Sequence, residues 1–172
     1  MAAGPAILIS GFTAAGKTTH ARLLAEDLGW AYVRALQSDA RVLDWVRAAH
    51  ASTVFTTSVC AGSLVLGAAG LLDGLTATPH WSGYDQLAAC GAAPVPRRVV
   101  EHLDRRIITA AGVSSGIDMA LRLTELLADR TAAQAAQLMI EYDPQPPFDC
   151  GARPKATPEV MDRIREYVTP GR

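Results

Sequence analysis

No excess charge of either sign marks this chain of 172 residues: Lys+Arg total 16 against Asp+Glu 17, a formal net charge of -1. Without a basic stripe it lacks the electrostatic footprint of a nucleic-acid binder, and without an acidic block it lacks a solvating tail. Nucleic acid is therefore not an expected partner. Cysteines are few, three in number, odd in count and scattered, which makes neither a disulfide framework nor a zinc site, so no metal is expected. Cys90 and Cys150, each beside a turn glycine, read as incidental. The apolar runs are too short to cross a membrane, and the opening Met-Ala-Ala-Gly-Pro has no basic signal-peptide region. A cytoplasmic chain with no membrane partner is the expectation. No internal repeat is visible. What the chain has in quantity is hydrophobic residues, 49%, enough at this length to bury the core of one domain.

Strand and helix signals alternate, which points to a mostly parallel α/β sheet with helices on both faces. Strands are predicted at 6–10, 31–34, 53–57, 75–78, 98–101 and 106–110. Helices are predicted at 19–28, 41–50 (Val42, Trp45 and Val46 on the packed face), 82–90, from 116 onward and 131–142. In the helix opened by the Gly112–Gly116 turn, Ile117, Ala120, Leu121 and Thr124 share a face. Asp143-Pro144-Gln145-Pro146-Pro147 forbids helix, and Thr157 with Pro158 opens a last one.

The segment 53–74 carries the most chemistry. A β-branched strand runs into Cys60, then Gly62, then an apolar helix, the pattern of a nucleophile elbow with cysteine as nucleophile. The sharp turn lifts Cys60 above the sheet, Gly62 allows close backbone packing, and the helix aims its positive end at the sulfur. The competing reading is a buried core cysteine.

A second motif lies at the start. Gly11-Phe12-Thr13-Ala14-Ala15-Gly16-Lys17-Thr18 fits the P-loop pattern in full, after a strand and before a helix. Gly11 and Gly16 would curl the backbone around a phosphate, Lys17 would reach the β/γ-phosphates, and Thr18, followed by Thr19, would hold Mg²⁺. ATP with Mg²⁺ is the cofactor this motif implies. The metal-positioning acid of a kinase is missing, because the next strand of that type ends in Cys60. A glycine-rich turn that binds nothing is the competing reading.

From about Leu36 onward the chain resembles the PfpI/ThiJ superfamily, in its isonitrile-hydratase-like branch. The resemblance rests on Leu43-Asp44-Trp45, Thr57-Ser58-Val59-Cys60-Ala61-Gly62, Leu66 to Gly74, and Ala77-Thr78-Pro79-His80-Trp81. Thr109 to Val113, Gly116-Ile117-Asp118 and Ile140 to Asp149 complete it. It implies a class I amidotransferase-like, flavodoxin-like three-layer sandwich, with Cys60 as nucleophile in hydration, hydrolysis or deglycation of a small molecule. It also implies His80 near the sulfur, orienting or deprotonating it, with a structural contact under Trp81 as the alternative. Backbone amides at Ala61, Gly62 and the Gly112 turn would hold a developing anion. No cofactor is implied for the cysteine chemistry. The chain departs from the branch in carrying Ala61 where the branch prefers Thr. It also has a shorter stretch before the nucleophile, with no recognisable Gly-Pro-Tyr-Glu carboxylate; Glu26 and Asp27 match by position only.

One α/β domain over 1–172 is therefore expected, with a P-loop-like segment at 1–35 and the PfpI/ThiJ-like part at 36–172, shortened in its N-terminal half. Apolar surface left by the missing strands leads to the expectation of a homodimer. A P-loop ATP-binding protein or small-molecule kinase, and a non-catalytic binding remnant, are the rival functions.

Overall fold

Among the described residues, four strands lie side by side in the main sheet: β1 (Ile7–Ser10), β2 (Thr56–Val59), β6 (Ile107–Ala110) and β5 (Val99–His102), in that spatial order. The structure, a computed structural model, describes residues 7–10, 33 and 35–168. β1 pairs parallel with β2 and β2 with β6, while β5 returns antiparallel along β6. β2, Thr-Thr-Ser-Val, is buried throughout, as a central strand covered on both faces must be. Its first hydroxyl is satisfied internally: Thr56 Oγ1 lies 2.8 Å from His50 Nδ1 and 3.2 Å from Thr53 Oγ1.

On one face of the sheet pack α1 (Ala40–Ser52) and α2 (Gly62–Ala68), whose Val46, Leu64, Val65 and Leu66 join Ile107 in a buried cluster. The other face is covered by α4 (Ser115–Leu127), with Met119, Leu123 and Leu126 against Val59, Ile108 and Ala110. Between them in sequence, β3 (Thr76–Ala77), a 3₁₀ turn (Trp81–Gly83), α3 (Tyr84–Ala89) and β4 (Ala93–Pro94) form a small annex, β3 and β4 pairing parallel. The last described elements are α5 (Arg130–Met139), which packs on α4, and α6 (Pro158–Val168). This is the expected flavodoxin-like α/β arrangement with a mostly parallel sheet.

Several details differ from the sequence-based reading. Of the expected strand at 31–34 only Val33 is described, and it is helical. The elbow strand starts at Thr56 rather than Thr53, because Thr53 closes α1 by donating its N–H to the Ala49 carbonyl. Trp45 is 59% exposed although Val46 beside it is buried, so the α1 contact face is narrower than its apolar spacing suggests. In α4 the buried positions are Ser115 and Met119, with Leu123 and Leu126 partly covered, rather than the face through Ile117 and Ala120. A large apolar side chain anchors the helix there, and Gly116 lets α4 approach: a Cβ on it would sit 3.2 Å from both Val59 methyls. The helix expected at 19–28 lies outside the described residues.

Candidate active site

At the carboxyl end of β2 the backbone turns sharply into α2, and Cys60 occupies the corner with φ of +61°, in the left-handed region that a side chain other than glycine rarely adopts. Two carbonyls hold it there. The Cys60 N–H donates to Ala110 O at 3.0 Å and Ala111 O at 2.7 Å, both at the end of the neighbouring strand β6. One residue on, the N-cap is Ala61, and α2 begins at Gly62. The Ser63 hydroxyl donates to the Cys60 carbonyl at 3.1 Å, and Leu64 N–H donates to the Ala61 carbonyl at 3.1 Å. The far end of α2 is fixed too, since Arg47 Nε donates to the Ala69 carbonyl at 2.9 Å. Cys60 is 3% exposed and forms no disulfide.

His80 comes to the same end of the sheet by another route. Thr78 N–H donates to Thr109 Oγ1 at 3.0 Å, tying the β3 exit to β6. Two residues later the His80 ring packs at the Gly112 turn, where a Cβ on Gly112 would lie 3.6 Å from His80 Cδ2. Gly112 directly follows Ala111, which receives the Cys60 amide, so nucleophile candidate and imidazole flank one short turn. The imidazole is half-buried, and burial lowers its pKa below the ordinary histidine value, favouring the neutral ring. Its Nδ1 caps the 3₁₀ turn, accepting from Ser82 N–H at 3.4 Å and lying 2.7 Å from Ser82 Oγ. A backbone N–H can only donate. The contact from Ser82 N–H favours Nδ1 as acceptor with the proton on Nε2, while the closer Ser82 hydroxyl can pair with either tautomer. In the Nε2-protonated tautomer the ring donates from Nε2. Its centroid lies 5.2 Å from that of Trp81, tilted rather than stacked.

Cys60, Ala61, Gly62, His80 and Gly112 thus fall at one end of the sheet. Gly11, Gly16, Lys17, Thr18 and Thr19 lie outside the described residues. Among the described residues no cluster of His, Cys, Asp or Glu has metal-holding geometry, and no helix is long and apolar enough to cross a membrane. Ser82 was not singled out from the sequence, although a hydroxyl two residues after a histidine in a turn was the available signal. Nor were Arg98 and Tyr142, which meet at Asp118: Arg98 Nε donates to Asp118 Oδ2 at 2.5 Å and Tyr142 OH to Asp118 Oδ1 at 2.7 Å. Long-range pairs of this kind leave no mark on local spacing.

Comparison with known proteins finds relatives of this chain. The DJ-1/PfpI family matches residues 29–126. Isonitrile hydratase from Pseudomonas putida is 46% identical over 142 residues, which are 83% of this chain and 61% of that protein. The crystal structure of a ThiJ/PfpI family protein from Pseudomonas syringae superposes with a TM-score of 0.72 at 47% identity, over 79% of this chain and 55% of that one. Drosophila melanogaster DJ-1beta shares the fold, with a TM-score of 0.57 at 23% identity, over 65% of this chain and 59% of that one. The chain therefore spans under two thirds of the length of each of these relatives.

Proposed function

The chain belongs to the DJ-1/PfpI family, and from that premise we propose that it is a cysteine-dependent enzyme that hydrates or hydrolyses a small electrophile, of isonitrile-hydratase-like type. The observation that carries this reading is the left-handed corner at Cys60, held by the carbonyls of Ala110 and Ala111 and followed at once by α2. A strained non-glycine residue persists where its surroundings over-determine it, and such sites cluster at functional groups. The 46% identity to an isonitrile hydratase supports the substrate class.

The proposed sequence balances with water alone. The Cys60 sulfur adds to the electrophilic carbon as that carbon takes up a proton. Water then adds at the same carbon, the C–S bond breaks, and the thiol returns. On an isonitrile the net change is addition of water, giving an N-substituted formamide. His80 would donate from Nε2 to charge developing on the substrate, and amides of Ala61, Gly62 and the Gly112 turn would share that task. No cofactor takes part in these steps, and a reducing, cytoplasmic setting would keep the thiol available.

A second reading, nucleotide binding, is favoured by one observation: β1 ends at Ser10, so a strand does precede the motif Gly11 to Thr18. ATP and Mg²⁺ at Lys17, Thr18 and Thr19 belong to that reading. A non-catalytic binding role is the third.

Turnover of a simple alkyl isonitrile by the purified chain, with Cys60→Ser as control, separates them. We expect slow turnover that the serine variant loses, because Ala61 supplies no hydroxyl and a lost acid–base group typically costs about a hundredfold. Equal turnover in the serine variant, or ATP-dependent phosphoryl transfer lost in Lys17→Ala, would reject the cysteine reading. No turnover of any electrophile would favour the binding role.

A further inference from the structure

We propose that Asp118, with Arg98 and Tyr142, is a positioning device for the nucleophile, coupling the C-terminal arm to the turn that holds the Cys60 amide. The inference rests on the proposed role of Cys60 for its catalytic meaning. Its geometry is independent of that role.

Asp118 stands in the first turn of α4 and uses both carboxylate oxygens, one for Arg98 Nε and one for the Tyr142 hydroxyl. Arg98 immediately precedes β5, at the same sheet end as the elbow. Its backbone carbonyl accepts the Ala111 N–H at 2.9 Å, and the Ala111 carbonyl in turn accepts the Cys60 N–H at 2.7 Å. A continuous path therefore runs from Tyr142 through Asp118, Arg98 and Ala111 to Cys60. The same turn continues into Gly112, against which the His80 ring packs, and the Gly112 carbonyl accepts Ser115 N–H at 2.8 Å at the start of α4. The guanidinium also approaches Ser114 Oγ at 3.5 Å. Both sides of the turn are thus bound to α4, one through the chain and one through the Arg98–Asp118 pair.

Tyr142 reaches Asp118 because of how α5 ends. Glu141 takes φ of +51° after the helix, Glu141 N–H donates to Leu138 O at 3.0 Å, and Tyr142 N–H donates to Gln137 O at 3.1 Å. This is a Schellman cap, and it swings Tyr142 back toward α4. The side chain of Gln137 fastens the same corner by donating to the Tyr142 carbonyl at 3.1 Å. No residue of α5 itself is buried, so the phenol is a specific attachment of an otherwise superficial arm.

Arg98 is half exposed and Asp118 is partly so. Pairs of that exposure contribute little to stability, so variants here leave a folded chain in which position can be read separately. Tyr142→Phe and Asp118→Asn, each in the full chain, should raise hydrogen exchange at the Cys60 and Ala111 amides at least fivefold, with the amides of α1 unchanged. Both variants should also slow iodoacetamide labelling of Cys60 at least threefold and shift its pH profile, while Cys90 and Cys150 label as before. Unchanged exchange at those two amides overturns the proposal, as does an equal rise across α1 or an equal change at all three thiols. Raised exchange at the two amides in a chain whose wild-type Cys60 labels no faster than Cys90 would support the positioning role and reject Cys60 as the nucleophile.

Discussion

At Cys60 a backbone demand and the proposed chemical demand fall on one residue. The left-handed corner costs an L-residue on the order of 1–3 kcal/mol, and branching at Cβ makes the clash worse. Cys60→Ser, which keeps the shape, should fold with a melting temperature within a few degrees of the parent. Cys60→Val should lose more than about 2 kcal/mol, measured by urea unfolding, from the same strain. Equal stability of the two would show that the corner is not strained. The three thiols also differ in setting. Burial and the Asp73 carboxylate raise the Cys90 thiol pKa, so Cys90 should be slow to alkylate at neutral pH and Cys60 should label first; peptide mapping after a short pulse decides the order. For His80 the sign is fixed by burial, which lowers the folded-state pKa below about 6.5. Its contribution is complete above that value and is lost as pH falls through the lower folded value, when protonation of Nδ1 breaks the bond from Ser82 N–H. Wild type should therefore lose more melting temperature than His80→Gln between about pH 8 and pH 5. Parallel curves would remove the histidine from that balance.

Among the elements, α2 and α5 end alike and differ in fit. Both close with a Schellman cap, but α2 places Gly70 at the left-handed position and α5 places Glu141 there. Glu141→Gly should therefore stabilise the chain by about 0.5–1 kcal/mol, whereas Gly70→Ala should destabilise it, both read by thermal melting. Gly67 within α2 has another reason to be glycine: a Cβ there would lie 2.8 Å from Cys90 Cβ. Gly67→Ala should cost about 1–3 kcal/mol despite alanine's better helix propensity. At this scale the sequence was informative wherever a local rule acted. The β5–β6 hairpin, the α1 span and the Pro158 start follow from nearby residues, whereas α5 ends at Met139 rather than at the expected Tyr142. The corner at Cys60 was legible for the same reason, because strand, turn and helix are contiguous there. What stayed hidden depends on partners distant in sequence. The face that α4 buries is chosen by Val59 and Ile108 across the sheet, and Trp45 lies exposed beside buried Val46. The Ser82 contacts at His80 Nδ1 could not be read from residue types alone.

For the whole molecule the exposed apolar side chains gather toward the C-terminal arm, where Leu138, Met139, Ile140 and Phe148 are all largely open. Surfaces of that kind associate, and we expect a homodimer by light scattering at micromolar concentration; a monomer would show that the arm is tolerated alone. If the N-terminal motif binds nucleotide, ATP should raise the melting temperature and Lys17→Ala should erase the shift. The order of strands in the sheet has a kinetic consequence. β5 and β6 are joined by a short turn and pair locally, whereas β2 meets both β6 and β1 across roughly fifty residues of chain. Loop closure makes those two parallel pairings the slow ones. The carbonyls that receive the Cys60 amide belong to the far side of such a pairing, so the corner cannot be set before β2 has found β6. In pulsed hydrogen exchange during refolding, the Cys60 amide should gain protection together with β2 and after the β5–β6 hairpin, making the geometry of the Cys60 corner one of the last features the chain acquires.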